Sequence, residues 1–345
     1  MKMGGMERAG VNLANALNNE KLNISFISFF KQEHFFKLDK NITLYEPPNF
    51  NVHKLSLIRS ILWLRKTIKE INPDKIIVLN KLYGAITCFS LIGYRYQVFL
   101  SERSSPLYKW PLSQSIMIKL IFTIIKPYGV IAQTKIASEY QKKYYGDKIK
   151  IKVIPNAVRN VQFYPGIRRE KVVLAAGRLN DSLKGFDRLL FAFSMIKNQE
   201  WKLHIAGGNS NEDPLLEEII NENNLHDRVI FLGKITDLDL TFASASIFVI
   251  PSRSEGFPNV LCEAMAAGLP CISFDFVAGP SDIIENRIDG ILIEDGNIIE
   301  LSKQLEALMN DESERIRLGK NARKIKEKLS GTAISKILIS FLKDE

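Results

Sequence analysis

Short apolar runs alternate with longer amphipathic segments along most of the chain. In the second half the short runs are rich in Val, Ile and Phe and bounded by Gly, Pro, Ser or Asn, as strands are. We predict strands at Lys171–Ala176, Lys202–Ala206, Arg228–Leu232, Ile247–Ile250, Cys271–Phe274 and Gly290–Ile293. Apolar residues at helical spacing predict helices between them, at Asp187–Ile196, Pro214–Asn223, Asn259–Ala267 and Ile299–Met309. This alternation indicates an α/β protein whose parallel sheet is covered on both faces.

The first half repeats the alternation less regularly. Its predicted strands are Ile24–Phe30, Ile76–Leu79, Val98–Ser101, Gly129–Gln133 and Lys152–Ile154. The following segment, residues 155–169, is rich in turn residues, and we interpret it as a linker. A chain of 345 residues is long enough for two domains, which we place at residues 1–160 and 168–327. A last helix, within residues 328–345, is expected to cross back to the first domain.

Charge is distributed unevenly between the two predicted domains. Residues 1–165 hold 25 of the 47 Lys and Arg but 10 of the 38 Asp and Glu. Such a basic domain suits nucleic acid, an anionic membrane surface or a phosphorylated substrate, although lysine-rich solvated helices would give the same excess. Ser56–Glu70 and Pro111–Lys126 combine apolar residues with cations. Each predicts a helix that either lies on a membrane or packs its apolar stripe on the sheet.

Cysteine use and hydropathy narrow the class further. The three cysteines, Cys88, Cys262 and Cys271, form neither a disulfide framework nor a metal-ligand cluster, which fits a reducing compartment. The chain has no uncharged apolar run of about 18 residues, and its first ten residues lack the apolar core of a signal peptide. We therefore expect a cytoplasmic protein.

The stretch Ser252–Pro270 carries the densest candidate chemistry. It follows a predicted strand and opens a helix near Pro258, where free backbone N–H groups can bind an anion. Glu255 lies in the loop and Glu263 lies in the helix. A carboxylate accepts two hydrogen bonds, which suits neighbouring sugar hydroxyls. One loop and helix could thus hold a phosphate and two sugars; the alternative is a pair of solvated glutamates.

A second motif, Gly177–Phe186, follows the strand predicted before it. Arg178 and Lys184 flank its short loop, ahead of a helix. Open α/β sheets bind ligands at the carboxyl ends of their strands, so two cations there indicate a clamp for a diphosphate. Unpaired surface charges are the alternative.

These motifs resemble those of family-4 retaining glycosyltransferases of the GT-B fold. Matching segments elsewhere are Gly4–Arg8, Ile154–Ala157, Ala206–Gly208, Phe231–Gly233 and Gly279–Asp282. Ser101–Arg103 and Gly279–Ser281 are most similar to the subgroup that builds capsule, exopolysaccharide and lipid-linked glycans from UDP-hexoses or UDP-N-acetylhexosamines. The resemblance implies two Rossmann-like domains that face each other across a cleft.

The resemblance also implies roles for individual residues. Arg178 and Lys184 would neutralise the leaving diphosphate, Glu255 would contact the donor sugar, and Glu263 would bind the ribose hydroxyls. The remaining implied residues are Lys234 beside the base, Arg103 near the acceptor, Gly4 and Gly5 close to donor and acceptor, and a phosphate-capping backbone at Gly256, Phe257, Pro258, Asn259 and Val260. Since fixed cations and a helix N-terminus stabilise the leaving group, neither metal nor cofactor is implied. Asp237 and Asp239 spell the D-x-D pattern of metal-dependent transferases, but we expect them to cap a helix.

Two departures from the family pattern stand out. Many relatives carry a histidine in the acceptor half, whereas His34 and His53 are expected at the surface here and Ser101–Arg103 takes that place. The glycine-rich loop normally follows a first strand, yet Gly4 is nearly terminal. We therefore expect that Met1 is an internal methionine of a longer protein or that the chain is a truncated product.

The predicted function is transfer of a hexose or N-acetylhexosamine from a UDP-sugar to a growing, lipid-linked surface glycan. The enzyme would work at the inner face of the plasma membrane, with peripheral contact to anionic lipid. One alternative is a truncated, inactive paralogue that binds nucleotide sugars; another is a GT-B nucleotide-sugar epimerase or hydrolase. Nucleic-acid binding would explain the basic half but neither motif, and is set aside.

Overall fold

A computed structural model of the protein describes residues 5–30, 37–48, 55–277 and 279–343. The chain divides into two compact units. The first unit comprises the described residues up to Ala157 together with those from Leu329 onward. The second unit runs without interruption from Val158 to Lys328. Both are built from parallel strands joined by helices, which confirms the predicted α/β class.

The first unit has two groups of parallel strands. Its elements are β1 (Ser25–Ile27), β2 (Thr43–Tyr45), β3 (Lys75–Leu79), β4 (Gln97–Ser101), β5 (Gly129–Ala132), β6 (Lys150–Val153), α1 (Gly5–Asn19), α2 (Leu55–Ile71), α3 (Lys81–Ser90), α4 (Leu112–Ile124) and α5 (Lys135–Tyr145). β1 pairs with β2, and β3 to β6 pair in chain order.

One core joins helices α2 to α5 to the sheet β3–β6. Parallel strands in chain order with right-handed crossovers place successive helices on one face. The buried cluster is drawn from all four helices and three of the strands: Leu64, Ile68, Val78, Ala85, Cys88, Leu91, Val98, Leu100, Ile118, Phe122, Val130 and Tyr145. The segments predicted as amphipathic helices therefore do pack on the sheet, as α2 and α4.

The second unit contains one six-stranded parallel sheet. Its elements are β7 (Val172–Ala176), β8 (Lys202–Ala206), β9 (Val229–Phe231), β10 (Ile247–Ile250), β11 (Cys271–Asp275), β12 (Ile291–Glu294), α6 (Phe186–Ser194), α7 (Pro214–Glu222), α8 (Asp239–Ser244), α9 (Asn259–Ala266), α10 (Ile298–Asn310), α11 (Glu312–Ala322) and α12 (Ile325–Lys328). The strand order is β12-β11-β10-β7-β8-β9. From β7 the chain moves outward to β9, then returns to β10 on the other side of β7 and moves outward again.

After α12 the chain returns to the first unit as α13 (Gly331–Lys343), which packs against α1. Ile334, Leu338 and Phe341 are buried there, and the Phe341 ring meets that of Phe99 edge-on at 5.6 Å between centroids. Gly331 lies close to α1, since a Cβ added to it would come within 3.2 Å of Ala16 Cβ. Across the described ranges, no helix is long and apolar enough to cross a membrane.

Candidate active site

The second unit places both predicted motifs at the switch point of its sheet. β7 and β10 are paired neighbours, with Val173 opposite Ile247, but the connections that leave them run to opposite sides. In open α/β sheets, such a reversal opens a crevice beyond the carboxyl ends of the two strands. The Gly177–Phe186 motif follows β7, and the Ser252–Pro270 motif follows β10. Both motifs therefore meet at the place where this fold binds ligands.

Lys184 and Glu255 contact each other directly at this point. Lys184 Nζ donates to Glu255 Oε1 at 2.7 Å, and Ser252 Oγ donates to the same oxygen at 3.0 Å. Both charged side chains are mostly buried. Lys184 is held in place by a 3₁₀ turn, Ser182–Lys184, whose start is capped by Asp181. A cation and a carboxylate predicted from separate motifs thus form one ion pair.

Arg253 links the loop after β10, to which it belongs, to the loop and helix after β7. Its backbone N–H donates to Leu183 O at 2.8 Å, and its guanidinium donates to Ser182 O at 2.9 Å. The same guanidinium binds both oxygens of Asp187, at 2.7 and 2.6 Å. Burial raises the pKa of Asp187, but the hydrogen bonds and charge of Arg253, together with backbone N–H groups, outweigh it and hold the pKa below its ordinary value. The sequence alone predicted no role for Arg253, although its position inside the Ser252–Pro270 motif could have indicated one.

Gly185 allows the two loops to approach closely. Its φ is +69°, and a Cβ there would lie 2.1 Å from the Pro251 carbonyl oxygen. Glycine adopts this left-handed conformation readily and leaves room for the neighbouring backbone. The residue after Lys184 therefore helps to set how near that lysine comes to the glutamate loop.

Arg178 lies at the same sheet edge but faces solvent. Its side chain is 72% exposed, and Nη2 donates to Asp181 Oδ2 at 2.7 Å. Asp181 therefore has two functions, since it also caps the turn that carries Lys184. The predicted pair of cations is present at one edge, with only Lys184 in an enclosed position.

The predicted phosphate-capping backbone lies at the start of α9. Phe257 and Pro258 are buried, whereas Gly256, Asn259 and Val260 are partly exposed. The Asn259 N–H donates to Phe257 O at 2.9 Å, and the Leu261 N–H donates to Pro258 O at 3.1 Å. Part of the donor set in this first turn is thus engaged by local carbonyls.

Glu263 is buried on α9, where its carboxylate contacts Arg159. Arg159 Nε donates to Glu263 Oε2 at 3.1 Å, and Arg159 Nη2 donates to Asp239 Oδ1. Contrary to the prediction, Asp239 is the first residue of α8 and not its cap, and its carboxylate accepts the Gln162 N–H. Asp237 does act as expected, since its carboxylate accepts the N–H of Asp239 at the helix start. Nothing in the sequence pattern marked Arg159 as a partner of Glu263.

Lys234 follows β9 at the carboxyl edge of the sheet. Gly233, with φ +70°, turns the chain there and forms a bridge with Gly208 beyond β8. Lys234 Nζ lies 3.4 Å from Glu212 Oε2, and the lysine side chain is largely exposed. The residue predicted to pass beside the base is therefore on the same edge as the Lys184–Glu255 pair.

In the first unit, Arg103 follows β4 and is tied to its neighbours. It donates to Ser101 Oγ at 3.0 Å and to the Asn156 side chain, and burial lowers its pKa to about 10. Gly5 is the first residue of α1, whereas Gly4, His34 and His53 lie outside the described residues.

Two further groups follow β3 and β4 in the first unit. Within the described chain, Glu102 Oε2 is buried without a hydrogen-bond partner, and burial raises the pKa of this carboxyl. Burial lowers the pKa of Lys81 to about 8, partly opposed by the charge of Glu102. Glu102 lies within the Ser101–Arg103 motif, but no role was predicted for it from the sequence.

The Lys184–Glu255 ion pair thus lies at the switch point, where open α/β proteins bind their ligands. The family described as Glycosyl transferases group 1 matches residues 160–325. An uncharacterized glycosyltransferase of Haemophilus influenzae is 30% identical over 339 residues, covering 94% of this chain and 92% of that protein. The chain therefore belongs to the group 1 glycosyltransferases, and the predicted resemblance to the family-4 enzymes is confirmed.

Two more similarities bear on fold and substrate class. The GalNAc-α-(1→4)-GalNAc-α-(1→3)-diNAcBac-PP-undecaprenol α-1,4-N-acetyl-D-galactosaminyltransferase of Campylobacter jejuni is 28% identical over 354 residues, covering 99% of this chain and 95% of that enzyme. The crystal structure of Anabaena Alr3699/HepE in complex with UDP and glucose matches with a TM-score of 0.81 at 17% identity, covering 100% and 97% of the two chains. At that identity the likeness concerns the fold, and the predicted GT-B fold is confirmed.

Proposed function

We propose that this glycosyltransferase moves a hexose or N-acetylhexosamine from a UDP-sugar to a growing, lipid-linked surface glycan, with retention of anomeric configuration. The observation that carries the proposal is the Lys184–Glu255 ion pair at the switch point. Its cation suits a diphosphate, and its carboxylate suits sugar hydroxyls. Two of the similar proteins support the proposal, since the Campylobacter enzyme acts on an undecaprenol-linked glycan and the Anabaena protein binds UDP and glucose.

In the proposed reaction, the bond between the anomeric carbon and the donor diphosphate breaks, and a bond to an acceptor hydroxyl oxygen forms. Negative charge builds on the leaving diphosphate, where Lys184 and Arg178 stabilise it more in the transition state than in the ground state. Glu255 holds the sugar through its hydroxyls. The acceptor proton passes to an oxygen of the leaving diphosphate. The electrostatic work is thus assigned to protein cations, and neither metal nor cofactor is required.

The donor assignment is tested by calorimetric titration of the protein with UDP, GDP and ADP in the presence of EDTA. We expect UDP to bind with a dissociation constant on the order of 1 μM, about 8 kcal/mol of binding free energy. GDP and ADP should bind at least about tenfold more weakly, because base contacts beside Lys234 would differ. Equal binding of the three nucleotides would contradict the UDP assignment. UDP binding that appeared only when Mg²⁺ replaced EDTA would contradict metal independence.

We further propose that the enzyme works in the cytoplasm, in peripheral contact with the inner face of the plasma membrane. Helix α4 supports this, because a row of exposed apolar residues runs along it, in addition to the apolar face that packs on the sheet. Leu112, Ile116, Leu120 and Ile124 recur every fourth residue and are between 51% and 78% exposed. A helix that exposes large apolar residues beside a cation can lie in the membrane interface. The basic excess of residues 1–165 would add attraction to anionic headgroups.

Vesicle sedimentation tests this membrane contact. The double substitution Leu120→Ser and Ile124→Ser should lower the partition coefficient onto phosphatidylglycerol-containing vesicles by about 100-fold, since each inserted side chain contributes about 1.5 kcal/mol. The matched control is Ile299→Ser with Ile316→Ser, two isoleucines of the second unit with comparable exposure of 61% and 64%. Equal loss in both double variants, or loss in neither, would contradict the assignment to α4.

A further inference from the structure

Three mostly buried charged side chains lie together in the second unit, and one of them, Glu263, belongs to the Ser252–Pro270 motif. The side chains of Arg159, Asp239 and Glu263 are 17%, 6% and 4% exposed. Removing ionised groups from water is costly unless they are paired and hydrogen-bonded. A buried cluster of this kind therefore holds its members in defined positions.

The contacts form a continuous chain from the backbone to Glu263. The Gln162 N–H donates to Asp239 Oδ2 at 2.8 Å, and the other oxygen of Asp239 accepts Arg159 Nη2. Arg159 Nε then donates to Glu263 Oε2 at 3.1 Å. Because the guanidinium is planar and its donors are fixed relative to one another, anchoring one nitrogen on Asp239 also fixes the direction of the other.

The ionisation of Asp239 also indicates that Asp239 holds Arg159 in place and that Arg159 in turn holds Glu263. Burial raises the pKa of Asp239, but the hydrogen bonds from Arg159 and from the Gln162 backbone outweigh it and hold the pKa below its ordinary value. Asp239 therefore stays ionised and keeps its hold on Arg159. The exposed carboxylate of Asp237, 3.8 Å from the guanidinium, adds to this hold. Arg159 is thus a fixed donor against which Glu263 is oriented.

We propose that Arg159 is a positioning residue that orients the Glu263 carboxylate toward the ribose hydroxyls of the donor, and so sets the preference of the site for a ribonucleotide. This inference rests on the proposed function, because the ribose role of Glu263 belongs to it. A carboxylate has about four lone-pair positions, so a bond from Arg159 at Oε2 is compatible with hydrogen bonds from ligand hydroxyls. Arg159 itself contacts protein groups and acts through Glu263.

The substitution Arg159→Lys tests the geometry while keeping the charge. A lysine ammonium is a compact point donor and lacks the rigid pair of donors that joins Asp239 to Glu263. The variant should therefore fold while leaving Glu263 less well oriented. The measurement is the ratio of the dissociation constants of 2′,3′-dideoxy-UDP and UDP, obtained by calorimetry. This ratio isolates the contribution of the ribose hydroxyls from those of base and phosphates.

In the unaltered protein we expect the ratio to be about 10 to 100, and Glu263→Ala should reduce it to about 1. Arg159→Lys should lower it to about 3 or less, through weaker UDP binding. Binding of the dideoxy nucleotide should change by less than about threefold. A purely structural role would weaken both nucleotides alike and leave the ratio unchanged.

Arg169→Lys is the matched control. Arg169 holds the ends of the same two helices, α8 and α9, by donating to the carbonyl oxygens of Phe242, Ala245, Ala267 and Gly268. These four bonds go to backbone oxygens and not to the Glu263 carboxylate, so substitution of Arg169 should leave the ratio within about twofold of the unaltered value.

Four results would overturn the inference, each in a different way. A ratio retained in Arg159→Lys but lost in Glu263→Ala would show that Glu263 is oriented without Arg159. An equal fall in Arg169→Lys would make the effect a general loosening of the two helices. A ratio near 1 in the unaltered protein with normal UDP binding would refute the ribose role of Glu263, whereas absent UDP binding would refute the proposed donor as well.

Discussion

Replacement of Lys184 by Met should lower kcat for sugar transfer by about 100- to 1000-fold, equivalent to about 3–4 kcal/mol of transition-state stabilisation. Lys184 is enclosed at the switch point, so its charge acts on a bound diphosphate through little solvent. Its ammonium donates to Glu255 Oε1. Charge that develops on the leaving diphosphate strengthens the attraction for this lysine, which is why turnover should suffer more than donor affinity.

The measurement is release of UDP from a UDP-sugar in the presence of a lipid-linked acceptor, with kcat and KM determined separately. Lys202→Met is the control, because Lys202 lies in β8 of the same unit and donates to the backbone oxygen of Asp227. We expect that variant to keep kcat within about threefold. If Lys184→Met raised KM alone and left kcat unchanged, the lysine would contribute only ground-state binding of the donor.

Gly185→Ala should lower the free energy of unfolding by about 3–5 kcal/mol, which corresponds to a fall in Tm of about 6–20 °C. An alanine at φ +69° carries left-handed strain of about 1–2 kcal/mol. Its Cβ would also lie 2.1 Å from the carbonyl oxygen of Pro251, so backbone must move. Since that movement separates the loops that carry Lys184 and Glu255, activity should fall together with stability.

Gly296→Ala separates the two causes. Gly296 is in the same unit and has φ +81°, but the nearest atom to an added Cβ is a flexible guanidinium nitrogen of Arg188 at 3.8 Å. This variant should show the conformational cost alone, about 1 kcal/mol, or a shift of about 2–4 °C in calorimetric Tm. Equal shifts in both variants would mean that the approach of Pro251 adds nothing to the cost at Gly185.

Much of the second unit could be predicted because local pattern and tertiary position agree there. β8 and β10 have the predicted bounds, and α9 begins next to Pro258 as expected. The first unit was harder. β2 is only three residues long, too short to produce an apolar run, and α3 was missed because its residues are buried on most sides and leave little helical periodicity. The periodicity of hydrophobic residues predicts only elements with one solvent-exposed and one buried face.

In the candidate site, too, the sequence predicted local features but not the contacts between residues that are far apart in the chain. The motifs located Lys184 and Glu255, but each was assigned a separate ligand contact, and their mutual bond was not foreseen. Arg159 and Glu263 are 104 residues apart, and Arg253 and Asp187 are 66 apart. Such pairings depend on strand order in the sheet, which spacing along one sequence does not encode. The roles of the site residues in catalysis and binding stay predictions.

The position of α13 at the end of the sequence affects how the protein folds during its synthesis on the ribosome. Domains usually fold in the order in which they are synthesised, amino-terminal first. Here the first unit needs Ile334, Leu338 and Phe341 to complete its packing, and these are translated after all of the second unit. The second unit is continuous in sequence and can fold while the first still exposes the apolar surface of α1. We expect nascent chains that stop before α13 to depend on chaperones more strongly than the finished protein does.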